Sequence, residues 1–126
     1  MKLRAFTVEI KGVKWRYQVL PDSTYEEHVG DDSDGVTRSS NRTVFFSASK
    51  LTPALVRHEL MHMIFASLCI HSASLSGEQA EEVAAEIVEL HWKDMSKWSK
   101  EMHLNMKEHS KTFRYLQVKP LKSSLL

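Results

Sequence analysis

The feature that most constrains this 126-residue chain is a pair of histidines four residues apart, His58 and His62, with Glu59 between them, inside a segment of helical apolar spacing. Leu55, Val56, Leu60, Met63, Ile64, Phe65, Leu68 and Cys69 keep that period. Thr52-Pro53 ahead of them supplies a capping hydroxyl and then proline at the first helical position, where its missing N–H costs nothing. The pattern predicts a helix from Pro53 to about Ile70. On such a helix, side chains four apart project from one face about one turn apart, so His58 and His62 can share one tetrahedral zinc ion. Glu59 lies beside that face, within reach of a zinc-acidified water without being a ligand, which is where a general base belongs.

Two histidines do not complete a zinc site, so a third protein ligand has to come from another element. The next helical pattern is acidic at its start: Glu78, Glu82, Glu86 and Glu89 recur at spacings of four, four and three. Glu82, one turn into that helix, is the ligand expected from this row, with Glu86 one turn on to orient a ligating imidazole. Glu78 and Glu81 are the alternatives, and a solvated acidic face is the bland explanation of the whole row. A third histidine of the His-Glu-x-x-His-x-x-Gly-x-x-His kind is excluded, since Phe65 and Leu68 occupy the places of the glycine and the last histidine.

The rest of the chain reads as an α+β domain over residues 1–110, with a basic tail at 111–126. Residues 3–10 and 13–20 are rich in Val, Ile, Phe, Trp and Tyr and flank Lys11-Gly12, which suits a tight hairpin turn. Asp22 or Ser23 is placed to cap a short helix over 24–29, with Gly30 ending it. Residues 36–40 and 43–47 flank Asn41-Arg42 as a second antiparallel pair, so a small N-terminal antiparallel sheet precedes the helices. The acidic stretch 30–35 lacks the twelve-residue spacing of a calcium loop. The helix carrying the glutamates is expected to open at Ser76 or Gly77 and to bury Ala80, Val83, Ala84, Ile87 and His91. Trp92, Met95, Trp98, Met102 and Leu104 then continue as packing residues on the same helix or on one restarting at 93–109.

Charge separates the two ends: residues 1–92 carry 9 Lys/Arg against 13 Asp/Glu, and residues 93–126 carry 8 against 3. Asp94, Glu101 and Glu108 interrupt Lys93, Lys97, Lys100, Lys107, Lys111 and Arg114, which argues against a nucleic-acid stripe. The N-terminal residues lack the apolar run of a signal peptide, and no stretch is long enough to span a bilayer. The lone Cys69 has no partner for an internal disulfide. A cytoplasmic protein is the expectation.

Residues 51–62, with Glu82-Val83-Ala84-Ala85-Glu86 after them, resemble the active-site helix and glutamate helix of the gluzincin metallopeptidases. In size and order the chain is similar to the minigluzincins and to small phage and prokaryotic members of the ImmA/IrrE kind. The resemblance covers roughly residues 3–92. It implies Zn2+ held by His58, His62 and Glu82, Glu59 as general base, a protein or peptide substrate, and, for a phage protein, action in the bacterial host's cytoplasm. It also implies that 43–47 is the strand lying along an extended substrate, and that a Tyr or His steadies the oxyanion, with His91, His103 and Tyr115 as candidates. The competing expectation is a zinc-stabilised accessory protein that binds without cutting.

Overall fold

A computed structural model describes residues 3–30, 33–68 and 77–113, with backbone alone at Gly77, Ala80, Leu90 and His91. The expected hairpin is there: β1 (Phe6–Ile10) pairs antiparallel with β2 (Val13–Leu20), Ile10 opposite Val13. Lys11 and Gly12 both take positive φ, 52° and 78°, the left-handed pair that lets a two-residue turn follow the strands' twist. The second pair also forms, β3 (Gly35–Arg38) against β4 (Thr43–Ser47), around a turn in which Arg42 has φ 53°.

The architecture is α+β, as expected, and the way the two hairpins join is what sequence reading lacked. Between them lies α1 (Asp22–His28), and β4 runs parallel to β2, giving a mixed sheet of order β1-β2-β4-β3. The expectation that the strand at 43–47 borders the substrate is therefore corrected. β4 is bonded on both sides, and among the described residues the strand at this end of the sheet is β3. The cap expected of Asp22 or Ser23 is absent too: Pro21 is the N-cap residue and no side chain caps α1. Asp22 accepts hydrogen bonds from Ser47 Oγ (2.7 Å) and Ser49 N (3.0 Å), fastening α1 to the end of β4.

Helix α2 (Pro53–Leu68) starts where Thr52-Pro53 placed it, and Thr52 Oγ1 accepts from Leu55 N at 3.1 Å. Its inner face is Val56, Glu59, Leu60, Met63, Ile64 and Ser67. Trp15, Tyr17 and Val19 of β2, Val44 and Phe46 of β4, and Ile10 form the sheet's side of the same core. Polar ties cross it: Trp15 Nε1 donates to Ser67 Oγ (2.8 Å), which donates to Met63 O (2.8 Å).

Helix α3 (Gly77–Ser110) is one unbroken helix of 34 residues, without a restart near 93. Ile87, Met95 and Met102 are buried and Val83 and Trp98 half-buried, so the predicted inward stripe holds in outline; Met106, outside that prediction, is buried as well. Three residues depart from the stripe: Ala84 is exposed, as are Trp92 (64%) and Leu104 (56%). Leu104 lies off the line of Met102 and Met106, two residues from each, whereas Trp92 borders a groove that α3 forms with the start of α2. The core extends to Phe113, just past the boundary drawn at 110, and residues 114–126 lie outside the described residues, as do Ser76, Cys69 and Ile70. Among the described residues, no helix is long and apolar enough to cross a membrane.

Candidate metal centre

Helical periodicity alone assigns His58, Glu59 and His62 to different environments on α2. Glu59 falls on the inward face three residues after Val56 and is buried at 4% exposure, while His58 and His62 flank that face in solvent. The two imidazoles stand edge to face with centroids 4.9 Å apart, and their Nε2 atoms are 3.3 Å apart. At that separation one ring can donate to the other, with the roles set by their tautomers. The separation also agrees with two nitrogens each about 2.0–2.1 Å from one tetrahedral zinc, which lie about 3.3–3.4 Å apart. The donor set fits as well, neutral imidazoles being the ligands zinc takes most readily beside thiolate and carboxylate.

A carboxylate on a core face is costly unless hydrogen bonds replace its water. Glu59 Oε1 accepts from Thr37 Oγ1 at 2.8 Å, and Oε2 is 3.8 Å from His58 Nε2. Thr37 belongs to β3, so this bond joins the end strand to the motif helix. Gly35, on the same strand, packs against the glutamate's stem: a Cβ there would stand 3.3 Å from Glu59 Cγ. Tyr25 of α1 is also buried nearby. Burial first, then the neighbouring charges of Glu59 and Asp34, push its phenol above the ordinary value, against the hydrogen bond to Ser33 Oγ (2.9 Å).

His58, Glu59 and His62 bring their ligand atoms within 4.8 Å of one another, and this group could hold a metal ion. Glu82 is exposed on α3 and is not part of the group; Glu78, Glu81, Glu86 and Glu89 are exposed as well. Of the oxyanion candidates, His103 faces Pro53 and Arg57 at the start of α2, in a groove of about 560 Å³ that also takes in Trp92 and Leu104. Burial, then Lys107, lowers the proton affinity of its ring. The His91 side chain and Tyr115 lie outside the described residues. Thr37, Gly35 and Tyr25 are neighbours that sequence reading did not single out. A glycine and a threonine two apart on a strand carry no signal of their own until the strand's partner helix is known. No family model, curated protein or solved structure matches this chain.

Proposed function

We propose that this chain is a zinc-dependent peptidase of the gluzincin kind acting on an extended stretch of polypeptide. The observation that carries the reading is the convergence of two imidazole Nε2 atoms at 3.3 Å beside a buried glutamate with one oxygen on the histidine side. His58 and His62 would hold the ion. Glu82 is proposed as third ligand on the sequence argument alone, since its carboxylate stands outside the group. Zinc in such a setting supplies Lewis acidity and a water acidified to near neutral pH. Glu59 takes up a proton at Oε2 from the attacking water and passes it to the leaving amine. The place of β3 at the end of the sheet, among the described residues, supports the choice of substrate, because an edge strand suits strand addition by an extended peptide, and Thr37 ties that strand to Glu59.

The test is Glu59→Gln at full zinc occupancy, with fluorescently labelled casein as the unstructured polypeptide. Cleavage should fall by about 100-fold or more while zinc is retained; an unchanged rate would remove the mechanism. One observation favours a second reading, a zinc-stabilised binding protein without hydrolysis: neither Glu82 nor His103 joins His58, Glu59 and His62. Absence of cleavage across a broad peptide library, with unfolding on chelation, would support it, and metal-dependent cleavage would dismiss it.

A further inference from the structure

We infer that Thr37 is a positioning residue for Glu59, and that Gly35, two residues before it on β3, leaves the room this requires. The inference rests on the reading of Glu59 as the base. A carboxylate on a mobile stem offers either oxygen in any rotation, which spoils the alignment proton transfer needs. Here two contacts from one strand restrict it. The Thr37 hydroxyl donates to Oε1 at 2.8 Å, the ordinary length of an O–H···O hydrogen bond, while its 3.4 Å approach to the Glu59 carbonyl is too long to compete. That bond leaves Oε2 on the side of His58, 3.8 Å from Nε2.

Gly35 limits the stem from below. Residues two apart on a strand share a face, so Gly35 and Thr37 meet the same side chain, one by its missing Cβ and one by its hydroxyl. A methyl group at Gly35 would lie 3.3 Å from Glu59 Cγ and 3.4 Å from both the Phe45 carbonyl and Phe46 Cδ1. With backbone on one side and an aromatic ring on another, the yielding group is the glutamate. The prediction for Gly35→Ala is thus displacement of Glu59 with little harm to the strand.

Thr37→Val keeps the shape of the side chain and suits a strand, while Thr37→Ser keeps the hydroxyl. With labelled casein and zinc-saturated protein, Thr37→Val should lower kcat about 10- to 100-fold. KM and zinc affinity should stay within about twofold, and Thr37→Ser should recover most of the rate. The second readout needs no turnover. In metal-free protein carrying 13C at the glutamate carboxyls, the Glu59 resonance, identified by its loss in Glu59→Gln, should move in Thr37→Val and return towards the parent position in Thr37→Ser. A Glu59 resonance that Thr37→Val leaves in place overturns the inference. So does a loss of zinc affinity as large as the loss of kcat with no rescue by serine, the mark of a merely structural residue. If the parent protein cleaves no casein, the reading of Glu59 as base fails, and the carboxyl resonance alone decides whether Thr37 orients it.

Discussion

Helices α2 and α3 both carry metal-capable side chains at the four-residue spacing that puts them on one face, yet they end in opposite circumstances. On α2, His58 and His62 converge beside a glutamate that is buried and hydrogen-bonded to a strand. On α3, Glu78, Glu82 and Glu86 repeat the same spacing in solvent, and among the described residues none of them joins a group that could hold an ion. The difference is what the helix packs on. α2 lies with one face against the sheet and core, so β3 can reach Glu59. The acidic first turns of α3 present their carboxylates away from the core, where like charges are screened by water. Spacing nominates a site, and a second element completes it.

That contrast can be broken first by core substitutions. Leu60→Ala empties a fully buried position of α2 and should cost about 2–5 kcal/mol in chemical denaturation. Trp92→Ala removes a larger side chain from α3, but one that is 64% exposed, and should stay within about 0.5 kcal/mol. A large loss at Trp92 would mean that the exposed side of α3 is covered in solution.

The start of α2 offers a smaller test. Thr52→Ala deletes the acceptor of the Leu55 N–H and should cost about 1 kcal/mol of stability. Gly12→Ala should cost about 1–2 kcal/mol, through backbone strain alone, because φ there is 78° and no atom lies within 4 Å of an added Cβ.

Acid sharpens the comparison from the far end of α3. His109 Nε2 accepts the Arg4 N–H at 3.0 Å, and its ring packs edge-on to Phe6 and Phe113. Burial first, and Arg4 second, lower its pKa from 6.5. The folded chain therefore binds fewer protons here than the unfolded one. The contribution is full above about pH 6.5 and is lost as the pH falls from there through the lower folded value. His103, shifted the same way by burial and Lys107, adds to the slope. Melting curves from pH 7.5 to 5 should show the decline, and His109→Gln should flatten it.

What was legible from residues alone follows how local the cause is. Lys11-Gly12, Thr52-Pro53 and the His58–His62 spacing act within one turn or one helix, and each appears in the structure where it was expected. The parallel joining of β2 to β4 depends on how α1 and β3 fold back between them, which no turn residue encodes. Thr37 becomes part of the site only through that joining, because it places β3 beside α2. Trp92 and Leu104 depart from the expected face for different reasons: Leu104 sits off the line of its buried neighbours Met102 and Met106, while Trp92 stands at an open groove beside Pro53 and Arg57 that helical spacing does not reveal. The same limit applies to Glu82, whose spacing was read correctly and whose surroundings were not visible.

The central claim is that α2 carries a metal centre built on His58 and His62, and zinc titration of the metal-free chain tests it most directly. Saturation is expected at one equivalent, with affinity falling at least about 100-fold in His62→Ala while the fold persists. An absence of saturable binding, or an affinity that His62→Ala leaves unchanged, would contradict it.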